Sequence, residues 1–130
     1  MQAWAADLNK LQQLDDECSA LKLPTEIRNA SRKLGMRLLK IFEPLTGSSI
    51  LSTFKQTVRD GLASGNYCVG FGLAASALRI SIEDTLTGFY YNAAAGMVTN
   101  CVKLVPIGQQ EGQELLFSLH PLISSLVQDL

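Results

Sequence analysis

The stretch "YCVGFGLAASAL", residues 67–78, decides which fold the chain adopts. Gly70, Gly72 and Ala75 have the spacing G-x-G-x-x-A, which in dinucleotide-binding proteins joins a β-strand to an α-helix and holds a pyrophosphate. Such a site needs a strand before the first glycine and an acidic residue about 20 positions later. Only "YCV" precedes Gly70, and the chain around position 90 reads "FYYNAAA", without an acid. The stretch is therefore interpreted as a helix, and a nucleotide-binding enzyme is the disfavoured alternative.

Four glycines in this stretch and the next apolar run make the helical interpretation costly. If Gly70, Gly72, Gly88 and Gly96 are all helical, they cost roughly 4 kcal/mol, at about 1 kcal/mol each relative to alanine. Close approach of helix backbones, which is possible where no Cβ intervenes, would offset that cost. We expect "GFGLAASA" and "NAAAG" to be smooth helix surfaces that pack on each other or on a partner.

The N-terminal half shows helical periodicity, and no segment of the chain alternates convincingly as a strand does. Apolar residues recur at steps of three and four from Trp4 to Leu21 and from Ile27 to Ile41. Pro24 separates these two helices, and the second is expected to end near "FEP". A serine after "LTG" can cap a third helix, for which "GN" at 65–66 suits the C-terminal end.

The C-terminal half predicts one long helix followed by shorter ones. Ser81 and Asp84 form a capping-box-like start for a helix that extends to about Leu104, and its small polar face predicts that most of it is buried. One or two helices follow, with a kink or break at His120-Pro121. We expect residues 1–130 to form a single all-α domain, a helical bundle of about five to seven helices.

Charge and hydropathy argue against several function classes. The net charge of −1 and the mildly acidic pI give no indication of nucleic acid or of a membrane surface as partner. The most apolar run, 89–105, is too short and too polar for a membrane span of about 20 residues. The N-terminal "MQAWAADLNK" lacks the basic and apolar regions of a signal peptide, so a cytoplasmic protein is expected.

The cysteines and the histidine offer little chemistry. Cys18, Cys68 and Cys101 are far apart and odd in number, which favours thiols in a reducing compartment over a disulfide framework. His120 is the one histidine of the sequence, and a transition-metal site usually needs several converging ligands. We expect no cofactor and no enzyme activity. A small metal-binding module that uses Cys18, Cys68, Cys101 or His120 is the alternative.

Two groups of polar residues are candidates for docking another protein. The segment 22–40 is basic, with a solvated face as the simpler explanation and an acidic protein partner as the other. The turn "VPIGQQEGQ" needs proline and glycine, but turn chemistry does not require Gln109 and Gln113. These two glutamines lie four residues apart on one helical face and can both donate and accept hydrogen bonds.

Three segments together resemble the family of the urease accessory protein UreF. "EIRNASRKLG" is similar to the family's E-x-R-x-A-S-x-x-x-G helix, and "VKLVPIGQQEGQ" to its R-L-x-P-L-G-Q-x-x-G-Q signature. Between them, "NYCVGFGLAASALRISIEDTLTGFYYN" resembles a segment that in the family usually opens with His-aromatic-Pro-Val. The matched positions are Glu26, Arg28, Ala30, Ser31, Gly35, Leu104, Pro106, Gly108, Gln109, Gly112 and Gln113.

The resemblance implies an all-helical, non-enzymatic chaperone for nickel insertion into urease. Such proteins dimerise, bind a second accessory protein (UreD, also called UreH) and through that complex recruit the GTPase UreG to apo-urease. The candidate partner-binding residues are Arg28, Ser31, Arg32, Gly35, Gly70, Gly72, Tyr90, Lys103, Gly108, Gln109, Gly112 and Gln113. Gly35 could equally serve only to permit a helix crossing.

The chain departs from the family pattern at several positions. Asn66 and Cys68 stand where the family commonly has histidine and proline, and Lys103 replaces the usual arginine. The family's N-terminal portion, with its Gly-Gly-Phe-Ser-type motif, has no counterpart in the sequence. We therefore expect the chain to correspond to the C-terminal part of such a protein.

Overall fold

The computed structural model describes residues 7–130, and Trp4, predicted in the first helix, lies outside them. The described part is all-α, as expected, with seven helices and no strand. In chain order they are α1 (Leu8–Leu21), α2 (Thr25–Thr46), α3 (Ser49–Arg59), α4 (Tyr67–Ala77), α5 (Ile82–Leu104), α6 (Gln109–Ser118) and α7 (His120–Gln128). The chain divides into two compact units, Met1–Ile80 (unit 1) and Ser81–Leu130 (unit 2). A single domain stays a prediction.

Unit 1 packs helices α1 to α4 around a small apolar core. Each helix places apolar residues at three- and four-residue steps toward the others, as the sequence predicts. The core consists of Leu11, Leu39, Leu51, Phe54 and Leu73, all nearly or completely buried. Helices α2 and α4 form the most extensive contact of the unit. The stretch that decides the fold is thus a helix, α4, packed on α2.

Gly35 on α2 allows the closest approach in this unit. A Cβ on Gly35 would lie 2.0 Å from the carbonyl oxygen of Gly65 and 2.9 Å from the carbonyl carbon of Asn66. On α4, a Cβ on Gly70 would lie 3.5 Å from the carbonyl oxygen of Gly35. Glycine at position 35 therefore lets the α2 backbone touch the start of α4, whereas a Cβ on Gly70 would make only an ordinary van der Waals contact. The packing of this stretch on "NAAAG" or on a partner stays a prediction. Gly72 differs, because no described atom lies within 4 Å of its Cβ position.

Helix α2 continues past the expected end at "FEP" and contains Pro44 in its last turn. Two bonds close the turn after the proline: the Thr46 hydroxyl donates to the Phe42 carbonyl at 2.8 Å, and the Gly47 amide donates to the Glu43 carbonyl at 3.0 Å. Gly47 has a left-handed backbone (φ 60°), a conformation that glycine favours at helix ends. The end is therefore set by Gly47 rather than by the proline.

The expected end of the third helix at "GN" is wrong. Helix α3 ends at Arg59, where Gly61 (φ 75°) donates to the Val58 carbonyl and Leu62 donates to the Thr57 carbonyl. An αL glycine soon after a helix is a common stop signal, and Gly61 supplies it. Residues 65–66 instead lead into α4.

Unit 2 consists of α5, α6 and α7, and α5 packs against both of the other helices. Its buried apolar residues include Val98, Leu116, Ile123 and Val127. The predicted start of α5 is confirmed, because the Ser81 hydroxyl accepts a hydrogen bond from the Asp84 amide at 3.0 Å. The break at His120-Pro121 is also confirmed, since α6 ends at Ser118 and α7 begins at His120.

The expectation that most of α5 is buried is wrong. Thr85 and Val98 are its buried residues, whereas apolar residues such as Met97 and Leu104 are 69% and 84% exposed. The two helices that pack on α5 cover one side of it only.

No described helix is long and apolar enough to cross a membrane.

Alanine substitutions at Gly35 and Gly72 compare a glycine that permits a close backbone contact with one whose Cβ position is open. Gly35→Ala should destabilise the chain by about 3 kcal/mol, because the new Cβ meets backbone that no side-chain rotation can move. Gly72→Ala should stabilise it by about 0.5–1 kcal/mol, because the Cβ position is open and alanine is the better helix former. Urea unfolding followed by circular dichroism measures both. Equal unfolding midpoints would contradict the predicted close approach.

Candidate functional site

A buried carboxylate, that of Asp15, holds the start of α4. It accepts backbone hydrogen bonds from three successive residues, Ser64 at 2.5 Å, Gly65 at 3.0 Å and Asn66 at 2.8 Å. Asp15 is completely buried on α1. A buried charge is tolerated when it is fully hydrogen-bonded, and amides at a helix N-terminus favour an anion. Asp15 therefore fixes the loop before α4 against α1.

The Asn66 side chain extends this arrangement to α2. Its amide group donates to the Asp15 carboxylate at 2.9 Å and to the Ser19 hydroxyl at 2.8 Å. Its carbonyl oxygen accepts from the Ser31 hydroxyl at 3.1 Å, and that hydroxyl accepts from the Tyr67 amide at 3.1 Å. We call this set, Asp15, Ser31, Asn66 and the backbone of 64–67, the Asp15 junction. Among the described residues no buried side-chain nitrogen or oxygen lacks a partner.

Three residues expected to contact a partner have internal roles here. Ser31 is buried in the Asp15 junction, and Gly35 is buried where α2 meets the Gly65 carbonyl. Arg28 donates from its guanidinium to the Lys22 carbonyl at 3.2 Å and to the Thr25 hydroxyl at 3.3 Å. These contacts close the turn between α1 and α2. The similarity of "EIRNASRKLG" to the family pattern is therefore explained in large part by packing, and partner contact by these residues stays a prediction.

The basic residues of α2 lie mostly in solvent. Arg32 is exposed and donates to the Ser64 hydroxyl at 3.2 Å, beside the Asp15 junction. Lys33, Arg37 and Lys40 are exposed. Their exposure is compatible with both interpretations of the basic segment, a solvated face and a docking face.

The glycine motif of α4 does not form a phosphate loop. In a dinucleotide site the glycines lie where a strand turns into a helix, so that free amides point at the phosphates. Here α4 begins at Tyr67, and Gly70 and Gly72 lie inside it. The Gly70 amide is the first to bond within the helix, to the Asn66 carbonyl at 3.0 Å.

The second polar motif begins α6 in unit 2. The Gly108 amide donates to the Glu111 carboxylate at 3.1 Å, which closes the first turn of the helix. Gly112 is buried, and a Cβ there would lie 2.6 Å from a methyl group of Val102 on α5. Gln109 and Gln113 of the same helix are exposed. The glycines thus serve packing and capping, while the glutamines face solvent.

Gln113 opens onto a cleft of about 440 Å³ in unit 2, which we call the Gln113 cleft. Phe117, one turn further along α6, is 73% exposed and lies 5.3 Å, centroid to centroid, from the His120 ring. Tyr91 on α5 lies 5.5 Å from the same ring. The cleft is lined by Tyr91, Gln110, Gln113, Glu114, Leu116, Phe117 and His120. It combines exposed aromatic surface, which is enriched at protein–protein interfaces, with amide groups that can hydrogen-bond.

Sequence reasoning missed this aromatic group, although one signal was available. Gln109, Gln113 and Phe117 are spaced four apart on α6 and so share a face.

Two other predicted partner-binding residues lie on α5. Tyr90 is half-buried and packs edge-on against Phe89, with a centroid distance of 6.1 Å. Lys103 is exposed in the last turn of α5, where the negative end of the helix dipole favours a positive charge.

The cysteines do not form the metal site considered as the alternative. Cys18 and Cys68 do come together, with their sulfurs 3.3 Å apart, whereas Cys101 is exposed in unit 2. The described residues contain no group of three or more metal-ligating side chains, so the metal-binding alternative is unsupported. Burial and the hydrogen bond with Cys68 raise the pKa of Cys18 to about 11.

The chain matches the model of a family described as UreF over residues 1–120. Urease accessory protein UreF of Actinobacillus pleuropneumoniae serotype 5b (strain L20) is 43% identical over 123 residues, 95% of this chain and 54% of that protein. UreF of Haemophilus influenzae (strain 86-028NP) is 42% identical over 94% of this chain and 51% of its own length. UreF of Paenarthrobacter aurescens (strain TC1) is 33% identical over 88% and 51%. The chain spans about half the length of these curated relatives.

Asp15→Asn tests the Asp15 junction with little change of shape. The new amide turns one acceptor into a donor opposite backbone amides, so we expect a loss of about 2 kcal/mol or more in the free energy of unfolding. Asp16→Asn is the control, because Asp16 is the exposed neighbour on the same helix and should change stability by less than about 0.5 kcal/mol. Similar losses in both variants, measured by urea unfolding, would contradict the role of Asp15.

Proposed function

The chain belongs to the UreF family, and on this premise we propose that it acts as a chaperone and adaptor in the assembly of the nickel metallocentre of urease. In this role it binds a UreD-type (UreH-type) accessory protein and recruits a UreG-type GTPase to apo-urease. It carries out no catalysis itself and needs no cofactor of its own. The observation that carries the proposal is the family match over nearly the whole chain.

The Gln113 cleft is the surface that best suits such a partner. An adaptor needs groups that are unused by its own fold, and Gln113 and Phe117 point outward from a helix whose inner face is already packed through Gly112 and Leu116. An exposed aromatic ring buries a large area on binding, and an amide adds directional hydrogen bonds. We therefore place the first partner contact at this cleft, with Gln109 and Lys103 as further candidates.

The remaining features of the proposal follow the family. The protein forms a homodimer, acts in the cytoplasm and contacts neither nucleic acid nor membrane. The basic residues of α2, with Arg32 nearest the Asp15 junction, are the second candidate surface, suited to an acidic partner. Gly72 is open to solvent and can accept a close backbone contact.

Because the chain spans about half of its relatives, the proposal is tested best in a full-length context. This chain replaces the aligned 123 residues of the A. pleuropneumoniae relative, and the chimera is expressed with the urease, UreD-type and UreG-type proteins of that organism. We expect the chimera to co-purify with both partners and to restore urease activity, which unmodified UreF supports as the positive control. A folded chimera that binds neither partner would refute the proposal.

Gln113→Ala combined with Phe117→Ala tests the cleft in the same chimera. We expect affinity for the UreD-type partner to fall about tenfold or more, as is common when hot-spot residues are truncated, with the helical circular dichroism unchanged. Leu115→Ala is the matched control, since Leu115 is an exposed residue of α6 that does not line the cleft. If the double variant binds as tightly as this control, the cleft is not the contact.

A further inference from the structure

Two cysteines from different helices meet in unit 1. Cys18 on α1 and Cys68 on α4 are 50 residues apart in sequence, yet the Cys68 thiol donates to the Cys18 sulfur across 3.3 Å. Both side chains are half-buried and both thiols are free. A disulfide needs the two sulfurs at about 2.05 Å, so they must approach by about 1.2 Å to form the bond.

The Asp15 junction holds both cysteine backbones in place. Asp15 lies one turn before Cys18 on α1, and Asn66 lies two residues before Cys68. The Asn66 amide also bonds to the Ser19 hydroxyl, the residue next to Cys18, at 2.8 Å. Both backbones are thus fixed by buried hydrogen bonds next to the sulfurs, which makes their approach a property of the fold.

We propose that Cys18 and Cys68 form a thiol–disulfide modification site, which closes to a reversible intramolecular disulfide by exchange with a low-molecular-weight disulfide of the oxidised-glutathione class. Neither the family match nor the proposed adaptor role assigns this site. Cys101 lies outside it, exposed on α5, and provides an internal comparison with a thiol that has no cysteine neighbour within the same unit.

The exchange takes place in two steps. In the first, the thiolate of one cysteine attacks a sulfur of oxidised glutathione, which forms a protein–glutathione disulfide and releases one glutathione thiolate. In the second, the other cysteine loses its proton and attacks the protein sulfur of that mixed disulfide, which releases the second glutathione. The two protein thiols lose two electrons, oxidised glutathione gains them, and the two protons end on the two glutathione molecules.

The environment of Cys18 lowers the rate at which this thiol itself attacks a disulfide. Burial, followed by the hydrogen bond and charge of Cys68, raises the pKa of Cys18 to about 11, and Lys22 opposes this only in part. At neutral pH Cys18 is therefore a thiol, and thiolates rather than thiols attack disulfides. Closure becomes efficient once a mixed disulfide has formed, because the second attack is then intramolecular and the sulfurs are already adjacent.

Closing the bond ties α1 covalently to α4. The cross-link encloses the segment from Cys18 to Cys68, which contains α2 and α3, and so restricts the unfolded chain strongly. We expect the oxidised chain to unfold at a temperature about 10 °C higher than the reduced one. Addition of dithiothreitol should reverse the shift.

Peptide mapping tests the site on the unmodified chain. Trypsin places the three cysteines in three different peptides, because it cuts after Lys10 and Lys22, after Arg59 and Arg79, and after Lys103. After incubation with oxidised glutathione, we expect the peptides of Cys18 and Cys68 to be joined in the non-reduced mass spectrum. Cys101 should appear as its free thiol or its glutathione adduct.

Cysteine-to-serine variants distinguish a disulfide between Cys18 and Cys68 from unspecific reaction of exposed thiols. Cys101→Ser should still form the internal bond with the same rise in unfolding temperature. Cys18→Ser should leave Cys68 trapped as its glutathione adduct, with no internal cross-link. Stable glutathione adducts on both Cys18 and Cys68 of the unmodified chain, or cross-links between molecules alone, would overturn the proposal.

Discussion

The buried carboxylate of Asp15 is the constraint on which unit 1 depends. A completely buried charge is tolerated only with several well-placed donors, and removal of such partners typically costs about 3–5 kcal/mol. Three successive amides before α4 and the Asn66 side chain supply those donors. The loop has to curl around Asp15 to present them, and Gly65 makes the curl possible with φ 75°. Helix α4 therefore begins where Asp15 lies.

The small residues of α2 follow from that constraint. Once the loop is fixed, its Gly65 carbonyl points at α2, and Gly35 leaves room for it because a Cβ would lie 2.0 Å away. Ser31, one turn before Gly35, bonds both to Asn66 and to the Tyr67 amide. Much of the family pattern in "EIRNASRKLG" is thus a requirement of the fold. Exposed residues that the fold does not use, such as Gln113 and Phe117, are stronger candidates for partner contact.

Local patterns predicted the helices but not the contacts between them. Three- and four-residue periodicity and the Ser81 cap placed most helices, because those signals act within one or two turns. The Asp15 junction and the pair of Cys18 and Cys68 join residues about 50 positions apart, and periodicity carries no information about such pairs. The end of α3 was a local error, since Gly61 offered the stop signal. The exposure of α5 could not be predicted either, because an apolar helix has the same sequence whether its own chain or a partner covers it.

The helical glycines of α4 and α5 differ from Gly35 in whether packing offsets the free energy that glycine costs in a helix. Gly35 recovers its cost of about 1 kcal/mol through its close contact with the Gly65 carbonyl, whereas the space at Gly70 would admit a Cβ in ordinary contact. Outside their own helix backbones, Gly72 and Gly96 have nothing within 4 Å of their Cβ positions among the described residues, so no packing contact in this part of the chain offsets their cost. Met97, next to Gly96, is 69% exposed, and exposed apolar groups of this kind are common where proteins bind one another. A partner that covered either glycine would offset its cost, and a contact of this kind is what the proposed adaptor role requires.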